Sequence, residues 1–519
     1  MTHSKQGLSR RGFVAGAIAA GPVLATLPNA TIVRAQGKTI LNARLQRDIT
    51  VLDPGYMVGG TEIAVQYAVM PRLAHVVNES GTFTWAPSEY MAALSQDDPT
   101  HISFELKTGF MWTNGYGEFT AEDVKYSLDR MLVSDWKDKW LALDRVELSG
   151  PYSGTIVLKH SSPAIWLTTI TAGAGNLVCK AATEDAGGQY TTEIPATCGP
   201  YVIAEWTPKQ RLVFTRNPDW PGPMPDFDEV RYILVDDDTA AELAYEAGEV
   251  DITRVAVSSL PRYTQNPPPD TNVTVAGHLQ YAWLGMNTEH PKLQNEKVRQ
   301  AIQHAVDVDS IIQAAYFDNA PRSFGIVPPG VFGSRSQASF GYDPAKAREL
   351  MAESGVSGLE LELKTLNQQA RIVSAQIIQA NLADIGIATK IIPLDSGPFW
   401  SLGRESKGDE WMDAQIWIMR FGGALDPLDY FQWFTSEQVG NWNWERWTSE
   451  EFDEIYQKLA TETDDARRLE MISRLQEIMD ESAGYVWLQH EPEAFIHRSS
   501  LNPVIVPTGE YDFRRFTAA

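Results

Sequence analysis

Seven of the 16 tryptophans fall in one span: Trp400, Trp411, Trp417, Trp433, Trp442, Trp444 and Trp447. Flat aromatic walls suit sugar faces, peptide side chains and organic cations, through apolar area and cation–π attraction. The same rings can also fill the core between a strand and a helix. Trp400 and Trp417 are expected on the ligand side. In Asn441-Trp442-Asn443-Trp444 the polar–aromatic alternation puts both Trp on one side of an extended segment and both Asn on the other. Upstream, Arg420 offers a planar fork suited to carboxylate or phosphate. Asp426 offers a counter-charge for an amine, although Asp426-Pro427 also fits a structural turn.

Other chemistries find little support. There is no G-x-S-x-G and no H-E-x-x-H. Asp426 with Asp429, and Glu450 with Glu451, read as turn and helix-start acids more readily than as the paired carboxylates of a glycosidase. The nine His are scattered, so no metal site is expected, and no cofactor is implied. The only two cysteines, Cys179 and Cys198, suggest one disulfide if the chain is exported; two separate core thiols are the alternative.

A chain of 519 residues exceeds one hydrophobic core, so two or three lobes are expected. The formal charge of −24 disfavours nucleic acid and anionic lipid as partners. The N-terminus carries Lys5, Arg10 and Arg11 and no acid, then an apolar run ending near Leu27, too short to span a bilayer. Ser9-Arg10-Arg11-Gly12-Phe13 is similar to a twin-arginine export signal, with cleavage after Ala35, or alternatively Ala30. No Cys closes the apolar run, so the mature chain is expected free in the periplasm.

The elements that would position these residues alternate between strand and helix. His101–Leu106 alternates and breaks at Thr108-Gly109, and Thr120 with Asp123 forms a near capping box for a helix to about Met131. Thr39–Asn42, Thr155–Leu158, Val202–Ile203, Arg211–Thr215 and Val230–Val235 read as strands, and Thr239–Ala247 as a helix stopped by Gly248. Val298–Ala305, Pro344–Glu353, Ile372–Asp384, Glu450–Leu459 and Asp465–Glu481 read as helices. Strands are expected at Leu359–Leu366 and Thr389–Pro393. The mixture indicates α/β lobes.

Several segments, in order, resemble the family 5 extracellular solute-binding proteins of ABC importers, the oligopeptide, dipeptide and nickel receptor group. They are Ser103–Phe110 with Thr120–Val124, Cys198–Tyr201 with Trp206 and Asn217–Trp220, Ala247–Ile252, Val298–Ile302 with Ala305–Asp307, Tyr342–Ala347, and Asp426-Pro427. The resemblance implies a two-lobed periplasmic binding fold of the hinged type II class, with an extra subdomain in the first lobe. The expected division is 1–35 signal peptide; 36–72, 199–281 and 491–519 first-lobe core; 73–198 extra subdomain; 282–490 second lobe. It implies a binder, not an enzyme, acting as a monomer that takes a peptide or peptide-like ligand to permease subunits at the inner membrane. Opine-like conjugates, oligosaccharides and a sensory use of the same fold remain alternatives. Energy would come from ATPase subunits on other chains, and this chain has no G-x-x-x-x-G-K-[ST] loop. Family peptide receptors carry Trp seven residues before this Pro, and four before it the Asp that takes the peptide amine. Here those positions are Arg420 and Gly423. That disfavours an unmodified peptide and favours an anionic ligand. Arg299, Asp307 and Asp251 are expected to cap or pair locally.

Overall fold

The computed structural model describes residues 38–57 and 59–519 and the backbone of Arg34–Ala35. The expected export segment up to Val33 lies outside the described residues. Most short elements form where local signals put them. Thr120 N–H donates to Asp123 Oδ2 at 2.9 Å, which starts the helix Ala121–Met131. Gly248 and Gly355 end their helices at φ +80° and +69°, a conformation that costs glycine no Cβ clash. Asp307 caps Val308–Tyr316 through Ser310 N–H. Arg299 donates to the carbonyls of Leu293, Gln294 and Ser482. Asp251 accepts from Asn42 N–H at 2.8 Å. Asp307 acts locally as expected, whereas Arg299 also reaches Ser482 and Asp251 ties to a strand 209 positions away.

Two strands escape that local reading and organise the molecule. Thr271–Met286 and Tyr485–Arg498 pair antiparallel over nearly their whole length. They sit at the centre of one eleven-stranded mixed sheet. On one side follow Ile416–Phe421, Glu360–Leu366 and Ala388–Leu394; on the other, Ile252–Arg254, Lys38–Leu45, Glu229–Leu234, Arg211–Arg216 and Tyr201–Thr207. The register shifts three times between Val275 and Trp283, and bulges of this kind add bend and twist. The expected lobe boundaries, 281/282 and 490/491, fall in this irregular stretch.

Separate apolar cores flank it. In the first lobe, Leu41, Val65, Tyr201, Phe214 and Phe513 pack together, and in the second, Leu284, Ile302, Leu363, Ile378 and Leu488. The extra subdomain is the antiparallel sheet Met91–Asp98, His101–Leu106, Ser153–Leu158, Leu143–Gly150, closed over Phe104, Trp112, Leu128 and Trp140.

Cys179 and Cys198 are free, buried thiols, which corrects the expected disulfide. Cys179 holds the N-cap position of Lys180–Asp185, and Cys198 lies under Tyr90, whose hydroxyl donates to its carbonyl at 2.8 Å. Both sulfurs pack in the subdomain core, where burial pushes the Cys179 thiol up to about 11 and Cys198 higher still. Native protein should therefore give no reaction with a thiol reagent at pH 8. Two thiols should titrate after denaturation in guanidinium without reductant, whereas a disulfide would yield none.

Candidate ligand-binding cleft

Where first-lobe and second-lobe segments meet, they line a half-open cavity of about 120 Å³. Tyr67, Lys139, Leu167, Thr171, Val506 and Thr508 come from the first lobe and its subdomain; Gly423, Leu425 and Asp429 come from the second. Lys139 Nζ reaches Asp429 Oδ2 at 3.3 Å across the gap. Phe83 N–H donates to Gly330 O at 2.9 Å, joining the hairpin Ala74–Pro87 to the opposite lobe. A Cβ on Gly330 would sit 2.7 Å from the Phe83 ring, so only glycine permits this approach. The lobes thus touch at two points, Lys139–Asp429 and Phe83–Gly330. Thr508 also lines a second, polar cavity of about 330 Å³, bounded by Arg44, Arg47, Arg254, Glu493 and Glu510.

The strand Ile416–Phe421 divides the residues expected to share a site. Trp417, Met419 and Phe421 face one core, and Ile416 and Ile418 the other. On the first face an aromatic group forms around Phe421, with ring centroids of Trp400, Trp433 and Trp442 at 6.4, 6.3 and 5.7 Å. These three indoles are half-buried, and the Arg404 guanidinium lies 4.7 Å over Trp442.

Arg420 shares the face of Ile416 and Ile418, and does not line the interlobe cavity. It donates to Gln280 Oε1 and lies 3.5 Å from Glu491 Oε2. Glu491, on the second long strand, also takes Arg371 and the Tyr316 hydroxyl. Burial alone would raise this carboxyl; Arg371 and Arg420 outweigh burial and hold it below the ordinary range. Gln280 continues the chain to Glu493 at 3.4 Å, and Glu493 pairs with Arg254 at 3.0 Å. Arg420 is therefore one member of a polar ladder that crosses between lobes along the two long strands.

Four expected ligand residues are internal. Asp426 is buried against Arg468 Nη2 at 3.1 Å and accepts from Leu428 N–H at 2.9 Å, so both oxygens are engaged. Trp417 is fully buried; Trp444 packs against it and donates to Asn441 O at 3.1 Å. Asn443, also fully buried, donates to the carbonyls of Phe434, Thr435 and Trp447. The segment is a turn, not an extended strand, because Asn441, Trp442 and Asn443 N–H all reach Gln438 O. Only Trp442 of its two indoles, together with Asn441, keeps exposure to solvent. Periodicity alone could not reveal this, since the Asn443 amide that locks the turn bonds to three carbonyls outside the tetrapeptide.

Gly423 lines the cavity, but its backbone is sealed. A Cβ there would lie 2.0 Å from Leu279 O and 2.2 Å from the Tyr430 hydroxyl. No acid fits at this position. Gly423→Asp is expected to destabilise by about 1–3 kcal/mol through overpacking and to confer no added affinity for free-amine dipeptides. Thermal unfolding paired with dipeptide titration measures both effects. Sequence reasoning missed Lys139, and treated Asp429 as a turn acid; nothing local marks two residues that meet across 290 positions.

Among the described residues no cluster of His, Cys, Asp or Glu could hold a metal, and no helix is long and apolar enough to cross a membrane. Residues 89–442 match the model for bacterial extracellular solute-binding proteins, family 5 Middle. The chain is 24% identical over 453 residues to the probable D,D-dipeptide-binding periplasmic protein DdpA of Escherichia coli, covering 85% of this chain and 86% of that one. Its fold is similar to the ABC transporter substrate-binding protein CtaP of Listeria monocytogenes, with a TM-score of 0.80, 21% identity and coverage of 92% and 99%. It is also similar to MoaA from A. tumefaciens R10, solved with mannopinic acid, with a TM-score of 0.69, 20% identity and coverage of 93% and 99%.

Proposed function

Since this chain belongs to family 5 of the bacterial extracellular solute-binding proteins, we propose that it is the receptor of an ABC importer, capturing a peptide or peptide-like small molecule between its lobes. The observation that carries this reading is the interlobe cavity, lined from both lobes in a fold whose lobes are joined by two long paired strands about which they can hinge. The fold supplies a trap; the protein binds its ligand and hands it unchanged to the permease. Its place is the periplasm, reached through the Arg10-Arg11 signal, where it acts as a monomer.

A second reading, a non-peptide anionic ligand such as an opine, is favoured by Gly423, where no amine-binding acid can stand. Similarity to a receptor solved with mannopinic acid is in keeping with it. Arg420 shares one carboxylate with Arg371, which leaves the pair of guanidiniums with one positive charge in excess at Glu491.

Native mass spectrometry of freshly purified mature protein, followed by thermal shift against dipeptides, mannopinic acid and maltotriose, tests the receptor reading. A bound small molecule and a rise in melting temperature are expected, about 2.7 kcal/mol of stabilisation at 100-fold excess over Kd. Turnover of a compound without any stabilisation would overturn it. Arg420→Ala tests the anionic reading: selective loss of an anionic ligand would bring Arg420 into recognition, and unchanged affinity, in keeping with its place outside the cavity lining, removes it.

A further inference from the structure

The polar cavity beyond Thr508 contains a carboxylate with no counter-charge. Its arginines are each paired with another carboxylate: Arg44 with Asp238 at 2.6 Å and Arg254 with Glu493 at 3.0 Å, both acids of the same cavity, and Arg47 with Glu62. Glu510 is left. Among the described residues no basic side chain forms an ion pair with it, and its side-chain partner is the Thr508 hydroxyl on its own loop. Two glycines keep the carboxylates open to the cavity. A Cβ on Gly60 would stand 3.1 Å from Glu510 Oε1, and one on Gly509 would stand 3.1 Å from Glu493 Oε1. Burial, joined by the charge of Glu510 and only partly offset by Arg254, raises Glu493 above its ordinary range; burial raises Glu510 as well. A cation entering beside them would relieve both costs.

From this geometry we propose that Glu510 is the acceptor for a cationic group of the ligand, an ammonium or guanidinium, while the rest of the ligand passes Thr508 into the interlobe cavity. The cavity volume, about 330 Å³, is that of a small-molecule site. The assignment rests on the receptor reading and deepens it. It supplies, from the first lobe, the negative charge that Gly423 cannot supply from the second. It selects for molecules bearing a free amine, whether a peptide terminus or another alkyl ammonium.

The test uses the full mature chain, wild type and Glu510→Gln, titrated calorimetrically with Xaa-Ala dipeptides, the same dipeptides N-acetylated, and maltotriose as an amine-free probe. Glutamine keeps the shape and can still bond Thr508, and circular dichroism melts check that the variant folds. The expected result is binding of at least one free-amine dipeptide, lost on N-acetylation, and weakened about 30-fold or more by Glu510→Gln. The variant should show no further loss on N-acetylation. Equal dipeptide affinity in both proteins overturns the proposal and leaves the receptor reading standing, as does binding of maltotriose or the acetylated forms alone. Binding of no probe overturns it as well; a small molecule retained in native mass spectrometry would then still uphold the receptor reading.

Discussion

Glu491→Gln should lower stability at pH 7 by about 3–5 kcal/mol, read as a shift in the urea midpoint of intrinsic tryptophan fluorescence. The side chain of Arg371 is 3% exposed and its charge is answered by Glu491 alone. With glutamine in place, a guanidinium stays inside the protein with the Tyr316 hydroxyl at 2.8 Å as its nearest help. An uncompensated buried charge is costly because the low-dielectric surroundings no longer return the lost hydration. Against a total of roughly 5–15 kcal/mol for a domain, this loss is large. The double variant Glu491→Gln/Arg371→Met removes both charges and should recover most of it, since apolar replacement of a whole buried pair is commonly near neutral. Equal destabilisation in the single and double variants would mean that packing, not charge, carries the effect.

That ladder also marks where sequence reading stops. Helices with a cap at one end and glycine at the other, such as Asp238–Ala247 before Gly248, announce themselves locally, because the signals lie within a few residues. The strand Tyr485–Arg498 does not. All of its residues are buried, so no alternation betrays it, and Glu491, Glu493, His497 and Arg498 break the apolar run that a doubly covered strand usually shows. Those charges are tolerated only because partners arrive from segments such as Arg371, 120 residues away. The same limit governs the site. The tryptophan-rich span does gather an aromatic group around Phe421, but none of its indoles lines the interlobe cavity. Trp417 and Trp442 meet the same face of Ile416–Phe421, yet the first is buried beneath Trp444 and the second stays half-open beside Phe421, a difference that tertiary packing sets. The family motifs, in contrast, run in order along the chain and needed no three-dimensional information to be read.

Stability should fall as pH rises from about 5 to 8, and Glu445→Gln should remove that part of the slope. Glu445 is fully buried among Trp283, Trp417, Tyr281 and Tyr485. Trp283 Nε1 donates to its Oε1 at 2.8 Å, while Oε2 has no hydrogen-bond partner. Burial, only partly offset by the Trp283 donor, pushes the carboxyl up to about 8. The folded value lies above the ordinary 4.5 expected when unfolded, so the folded protein holds a proton that the unfolded chain has released. This contribution to stability is complete below pH 4.5 and is lost at about 1.4 kcal/mol per pH unit until about pH 8. Glutamine keeps the acceptor for Trp283 and cannot ionise. Melting curves of wild type and Glu445→Gln should therefore converge near pH 5, with the variant the more stable by several kcal/mol at pH 8.5. Parallel curves across this range would place the ionisation of Glu445 elsewhere. The difference between the two proteins isolates this group from the other buried carboxyls, Asp426 and Asp480 among them, that burial also shifts upward. A carboxylic acid kept neutral by aromatic walls behaves here as one more hydrogen-bonding piece of the second-lobe core, stable for as long as it keeps its proton.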